Sequence, residues 1–314
     1  MTEANRAHHL TSNNQCGRSA VRIGVIQWQM CLPESYDDWL DKARYFIKAM
    51  AGYQADFIVF PEFFNVPLMG IDKQSNPHEA IRLLANYAEK IIADMSQFAV
   101  TYSINVIAGS IPEFIGDRLY NNAYLCRRDG STEVQSKIHI TPDERRTWLI
   151  EGGNDLQVFD TDAGKVGILI CYDAEFPELS RLLAKQDMEI LFVPFWTDTK
   201  SAFLRVQRCA QARAIENECY VAIAGSVGNL SQVANVDIQY AQSAIYSPSD
   251  FGFPEDATVA VSTANVEMAI VADVDLERLA KLKSQGAVTN DKDRREDLYQ
   301  VKWLQDDAPS NKKL

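Results

Sequence analysis

The sequence predicts an α/β fold. Short apolar runs such as Phe57-Ile-Val-Phe60, Val166-Gly-Ile-Leu-Ile170 and Ile190-Leu-Phe-Val-Pro194 read as buried strands. Between them lie longer stretches with apolar residues at helical spacing, as strand–helix alternation requires. Several neighbouring strand-like runs are instead separated only by turn residues, such as Asp129-Gly130, so hairpins interrupt the alternation.

Residues 1–20 are polar without an apolar core and read as a disordered tail, not a secretory signal. Val21 to Gln29 is the first strand. Tyr36 to Tyr53 carries Trp39, Ala43, Phe46 and Ile47 at helical spacing. After the strand Phe57 to Phe60, one helix is expected from His78 to Val100, with Ile81, Leu84, Ala88, Ile91 and Ile92 on one side. Ile104 to Ser110 and Leu119 to Arg127 follow as strands, then Val134 to Ile140, Leu156 to Phe159 and Val166 to Ile170. A short helix, Glu178 to Lys185, precedes the strand Ile190 to Pro194. The helix Lys200 to Glu218 leads to the strand Tyr220 to Val227. Ser243 to Ser247 and Glu267 to Asp275 are the later strands, and Leu276 to Gln285 is helical. From Asp306 to Leu314 the chain is charged and loose. Residues 21–305 are expected to form one domain, since no composition shift divides them.

Three segments carry chemistry. Cys171 ends the run Lys165-Val-Gly-Ile-Leu-Ile-Cys171 and opens the turn Tyr172-Asp-Ala-Glu-Phe-Pro-Glu178. Open α/β sheets gather their ligands at such strand ends. A thiol there can serve as a nucleophile, with the next backbone N–H facing a developing oxyanion. The bland alternative is an inert buried cysteine. In Phe57-Ile-Val-Phe-Pro-Glu62-Phe-Phe64 a strand runs into a carboxylate among aromatics. Desolvation there raises an acid toward the range of a general base; the alternative is a solvated glutamate at a loop start. Thr132-Glu-Val-Gln-Ser-Lys137-Ile-His-Ile-Thr141 alternates like a strand, and Lys137 alone reads as a snorkelling surface residue.

Together these segments resemble the carbon–nitrogen hydrolases of the nitrilase superfamily, which use a Glu–Lys–Cys triad. Phe60-Pro-Glu62, Ser136-Lys137-Ile-His139 and Ile170-Cys171-Tyr-Asp173-Ala-Glu-Phe-Pro-Glu178 match it in order. Leu119-Tyr-Asn121, Val193-Pro-Phe-Trp196, Arg213-Ala-Ile-Glu-Asn217 and Gly225-Ser-Val-Gly-Asn229 are further matches, and the likeness runs from about Val21 to about Asp275. Lys137-Ile-His-Ile-Thr-Pro-Asp-Glu144, Phe195-Trp-Thr-Asp198 and Asp293-Arg-Arg-Glu-Asp-Leu-Tyr299 resemble a poorly characterised branch, some of whose members carry a fused acetyltransferase domain. The residues before Val21 are too few and too polar to be expected to form one. The resemblance implies a four-layer α-β-β-α sandwich and a homodimer formed through helices that include the one after Cys171. It implies Cys171 as nucleophile, Glu62 as general base and Lys137 with the Tyr172 N–H as oxyanion donors. It also implies Glu144 as a second acid that orients Lys137. Asp143 in the same loop competes for that role, and a salt bridge from Glu144 to Arg145 or Arg146 is the structural alternative.

Trp196, at a neighbouring strand end, is expected to wall a substrate pocket near Thr197 and Asp198, with Phe63 and Phe64 opposite. A core position is the alternative for Trp196, and helix capping for Asp198. A Cys171–His139 dyad explains less of the sequence than the triad, and His139 reads as a structural histidine sharing the Lys137 face. Asp173, Glu175 and Arg181 are expected to lock the Cys171 turn by ion pairs. Tyr246-Ser-Pro-Ser-Asp-Phe-Gly-Phe-Pro254 is a turn-rich segment that reaches over a pocket, packs against a subunit, or is an ordinary loop.

A formal net charge of −12 disfavours nucleic acid and anionic membranes as partners, which need a basic face. The six cysteines are scattered and the histidines few, without zinc-site spacing, so no metal or cofactor is expected and a reducing cytoplasm fits. No run approaches a membrane span. The expected reaction is thiol-dependent hydrolysis of a small amide or carbamoyl compound. A nitrilase forming a carboxylic acid is the alternative, and a non-catalytic binding protein on the same fold is a third reading. An activated Cys171 is expected to outpace the other cysteines toward iodoacetamide.

Overall fold

The computed structural model describes residues 20–72, 76–233, 235–236 and 238–304. The expected tails therefore lie outside the described residues, apart from Ala20, which opens the first strand. In chain order the first half comprises β1 (Ala20–Met30), α1 (Tyr36–Gly52), β2 (Phe57–Val59), α2 (Met69–Asp72), α3 (Pro77–Ala85) and α4 (Ala88–Tyr102). It continues with β3 (Asn105–Ile115), β4 (Arg118–Cys126), β5 (Thr132–Ser136) and β6 (Ile150–Glu151). The second half has β7 (Phe159–Thr161), β8 (Gly164–Ile168), α5 (Pro177–Ala184), β9 (Ile190–Phe195), α6 (Lys200–Glu216) and β10 (Tyr220–Asn229). It ends with β11 (Ile238–Gln239), β12 (Ala244–Tyr246), β13 (Thr258–Val261), β14 (Met268–Asp275) and α7 (Leu276–Gln285).

The strands run in the order β5-β4-β3-β2-β1-β10-β9-β8-β7. β1 is the seam. Along Ala20 to Gln27 it pairs antiparallel with β14, and at Trp28 to Met30 it pairs parallel with β10. Side-chain alternation then sorts β1 between two layers. Ile23 and Val25 pack with Phe57 and Val59 against Ile168, Phe192 and Val193 of the other half. The Phe57 and Phe192 rings meet at 5.3 Å across the two sheets. Ile26 and Trp28 face the other way, onto Trp39, Ile47, Ile81 and Met95 of α1, α3 and α4. On the same side a Cβ at Gly24 would lie 2.7 Å from the Met50 sulfur, so α1 fits closely there. Behind the second sheet lie α5 and α6, through Leu179, Leu183, Phe203 and Ala210. The result is a four-layer α-β-β-α sandwich. Among the described residues no helix is long and apolar enough to cross a membrane.

Several elements depart from expectation. The single helix expected at 78–100 is two, because the chain turns at Asn86–Tyr87, where Tyr87 stacks on Tyr36 at 5.6 Å. The strand expected to reach Ile140 stops at Ser136, since the carboxylate of Asp173 takes the Ile138 and His139 N–H groups that would extend the ladder. His139 therefore shares no strand face with Lys137. The strand expected at 156–159 starts at Phe159, in a hairpin closed by Gly164. The α6 helix is capped by Thr199, whose side chain accepts the Ala202 N–H, and not by Asp198. The segment Tyr246 to Pro254 lies beside α7, where Arg278 donates to the Gly252 carbonyl, away from the Cys171 cavity. The short strands β6, β11 and β13 and the helix α2 carried no periodic signal long enough to read.

Candidate active site

Three loop positions are built from strand ends. β2 stops at Val59, yet Phe60 still donates to the Ile107 carbonyl and Glu62 bridges Ser110. Gly109 makes this approach possible: at φ +56° a Cβ there would stand 2.0 Å from the Pro61 carbonyl oxygen. Phe63 follows at φ +52°, a left-handed conformation that turns the chain out of the sheet and costs a non-glycine residue energy. Lys137 lies just past β5. Its N–H donates to Asn121 and its carbonyl accepts from Gly153, each at 2.8 Å. Cys171 also has a left-handed backbone, φ +49°, at the start of a 3-10 turn, Cys171–Glu175, that ends before Pro177 opens α5. The Tyr172 N–H is at the free N-terminal end of that turn, where the first amides have no intrahelical acceptor.

The turn is held from two sides. Asp173 accepts the Ile138 and His139 N–H groups at 3.1 and 2.7 Å and contacts the His139 Nδ1 at 3.0 Å. The His139 ring stacks on Phe176 at 3.6 Å. From α6, the buried Arg213 donates to the Ala174 and Glu175 carbonyls. Glu175 itself pairs with Arg205 at 3.5 Å. Arg181, expected at the elbow, points instead to Asp291 at 4.0 Å.

These constraints bring Glu62, Lys137, Glu144 and Cys171 to one wall. Lys137 Nζ lies 2.8 Å from Glu62 Oε1 and 2.9 and 2.8 Å from the two Glu144 oxygens. Asn121 Nδ2 donates to Glu62 Oε1 at 2.9 Å and to Glu144 Oε1 at 3.3 Å. Thr141 anchors Glu144 Oε2 through its N–H and hydroxyl. Glu144 is thus no surface partner of Arg145 or Arg146. Asp143 takes the surface role, pairing with Arg146 at 3.0 Å. The Cys171 sulfur is 3.7 Å from the Trp196 carbonyl oxygen.

Burial governs the charges. Desolvation raises the Glu62 carboxyl to about 7, against the pull of Lys137 and with a push from Glu144. Burial opposes the charge on Lys137, but Glu144 and Glu62 outweigh it and hold the ammonium well above its ordinary value. Burial and then the Glu62 charge push the Cys171 thiol well up, despite Lys137. The thiol is therefore not a ready-made thiolate. It ionises only if a neighbour removes its proton.

Glu62, Lys137, Glu144 and Cys171 open onto a cavity of about 620 Å³. Tyr172, Trp196, Thr197 and Phe63, all expected at the pocket, line it too. Phe64 does not; it packs in the outer core against Trp28 and Trp39. Trp148 is an addition. It stacks on Trp196 at 5.6 Å, and Phe63 meets both indoles edge-on. Its only sequence signal was its place four residues after Glu144, in a π-helical turn too short to show a period. Asn121 was legible. The Asp129-Gly130 turn sets the β4–β5 register so that Asn122 faces Ser136, which places Asn121 opposite Lys137.

The comparisons with known proteins agree with this architecture. The sequence is 45% identical over 285 residues to the probable hydrolase YhcX of Bacillus subtilis, covering 90% of this chain and 55% of that protein. The chain thus spans about half of YhcX. It is 30% identical over 301 residues to the omega-amidase NIT2 of Danio rerio, covering 92% of this chain and 99% of that one. Nit3 of Saccharomyces cerevisiae, a branch 10 member of the nitrilase superfamily, superposes with a TM-score of 0.71 at 24% identity, over 88% of this chain and 97% of the other. That likeness speaks to the fold. The carbon-nitrogen hydrolase profile matches residues 22–284, which include every strand and helix around the cavity, and the chain belongs to that family.

Proposed function

We propose that this protein hydrolyses the carbon–nitrogen bond of a small amide through a thioester on Cys171. The observation that carries the reading is a buried lysine held between two carboxylates beside a thiol, on the wall of a cavity of small-molecule size. The omega-amidase relative supports amide chemistry.

The charges define the steps. Glu62, raised to about 7, is a base of suitable strength near neutrality, and the Cys171 thiol keeps its proton until that base takes it. Sulfur then attacks the carbonyl carbon. The Lys137 donors already face three carboxylate oxygens. As Glu62 takes the proton, its hold on Lys137 weakens, and a donor is released toward the oxyanion with the Tyr172 N–H. Glu62 next protonates the leaving nitrogen, the carbon–nitrogen bond breaks, and ammonia or an amine departs. Water attacks the thioester, Glu62 accepts its proton, and the acid leaves as Cys171 regains its own. Glu144 keeps Lys137 in place throughout, and Trp148, Trp196 and Phe63 exclude bulk water.

Ammonia release from short amides, N-carbamoyl compounds, dicarboxylate monoamides and nitriles, with Cys171→Ala as control, tests the reading. Release from an amide that vanishes in the variant is expected. Release from nitriles alone makes the protein a nitrilase. No release, with Cys171 inert to iodoacetamide, leaves a binding protein.

A further inference from the structure

Lys137 is not the only donor on the buried acids. Asn121 Nδ2 reaches Glu62 Oε1 at 2.9 Å and Glu144 Oε1 at 3.3 Å, so this amide bridges the two. Carboxylates accept, so the amide turns its nitrogen and not its oxygen to them. Asn121 is fully buried behind the wall and does not line the cavity, which keeps it from touching a substrate. A strand holds it in place. In β4 it stands opposite Pro112 of β3, and its carbonyl accepts the Lys137 N–H at 2.8 Å. One residue thus holds Lys137 by its backbone and Glu62 by its side chain.

This arrangement distinguishes the two oxygens of Glu62. Lys137 at 2.8 Å and Asn121 at 2.9 Å both donate to Oε1, and neither donates to Oε2. An ammonium and an amide nitrogen cannot accept a hydrogen bond. A proton on Oε1 would compete with two donors, whereas Oε2 takes it without breaking either bond. Lys137 makes its other two contacts with Glu144, so a neutral Glu62 loses the lysine to the acid that stays charged. The Asn121 N–H carries no full charge and still bonds the carbonyl oxygen of a neutral acid.

We infer that Asn121 is a positioning residue for the general base. It holds Glu62 Oε1 in both protonation states. Oε2 then takes the proton of the Cys171 thiol, whose electron pair stays on sulfur, and returns it to the leaving nitrogen. This rests on the amidase reading, but one of its two tests needs no turnover.

The groups that face Glu62 are Lys137 after β5, Glu144 in its π-helical turn and Cys171 in its 3-10 turn. Asn121 adds an N–H that favours the ionised form. Asn121→Leu removes that donor and keeps an apolar side chain of similar shape, so Glu62 should hold its proton more tightly. With the glutamate carboxyls isotope-labelled, carbon NMR of the Cys171→Ala protein follows Glu62 directly, its signal identified by its loss in Glu62→Gln. Its midpoint should rise by about one pH unit when Asn121→Leu is added. Asn121→Val, a strand former that loses the same donor, is used where leucine does not fold. With Cys171 present, the acid limb of kcat/KM should move up equally. Above that limb kcat should fall about tenfold or more while KM changes little. A Glu62 midpoint that stays or falls in a folded variant overturns the inference, as does wild-type kcat above a shifted limb. If the wild type cleaves no amide, the amidase reading fails, and the carbon titration still decides whether Asn121 holds Glu62.

Discussion

Lys137 holds a full charge where water does not reach, and its surroundings define what each neighbour can be. It is 1% exposed, and Glu62 and Glu144 share its three donors. Lys137→Met removes that charge and leaves two buried carboxylates facing each other. A broken buried pair costs about 3–5 kcal/mol, so a denaturant melt should show a loss of that order. Activity should fall about a hundredfold or more with the lost oxyanion donor. In the proposed mechanism Glu62 sets the pH dependence. Its carboxyl is raised to about 7, chiefly by desolvation, and it works as a base only when ionised. kcat/KM should therefore fall as pH drops through about 7 and level off above it. Glu62→Gln should abolish turnover at every pH, and an acid limb near the ordinary glutamate value would sink the assignment. The structure also changes the basis of the iodoacetamide expectation. With its thiol pushed up by burial, Cys171 owes any speed to Glu62, so alkylation should slow in Glu62→Gln.

At the scale of elements, the site depends on how strands end. The motifs around Glu62 and Cys171 were legible because apolar runs stopping at polar residues are a local pattern, whereas Lys137 stood out only through the family resemblance. What stops the Lys137 strand was not legible. The acceptor is Asp173, in the Cys171 turn, and no local periodicity connects it to Ile138 and His139. This clamp fixes Lys137 relative to Cys171. Asp173→Ala leaves two N–H groups without their acceptor. Two such losses at about 1–3 kcal/mol each give roughly 2–6 kcal/mol, and stability should drop toward the low end because both groups are part-buried. Because the distance between donor and sulfur is also released, kcat should fall more than KM rises. A variant that melts early but keeps wild-type kcat would reduce Asp173 to a structural role. Long-range contacts of this kind also explain Trp148, which lies in a π-helical turn, Glu144–Trp148, too short to show a period.

The whole molecule brings together a site that neither half contains. Glu62 and Lys137 leave strands of the first sheet, whereas Cys171 and Trp196 leave strands of the second. Their alignment rests on the β1–β10 seam and on the core between the sheets, where Phe57 meets Phe192. The seam has its own polar lock. The buried Gln27 donates to the Thr263 and Val266 carbonyls and accepts from the Ser243 N–H and the Ser262 hydroxyl. That β1 is a strand was readable in sequence, but its change of partner from β14 to β10 was not, since pairing is decided by residues roughly two hundred or more positions away. If the two sheets are one cooperative unit, loosening either loses the site and the fold together. Phe57→Ala empties a fully buried aromatic position and should cost about 3–5 kcal/mol. Its urea midpoint should fall, with far-ultraviolet dichroism and activity still lost at a single midpoint. Separation of the two curves, with activity lost first, would mean that the sheets can slip past one another while each stays folded, and that the catalytic wall is the weakest joint in the sandwich.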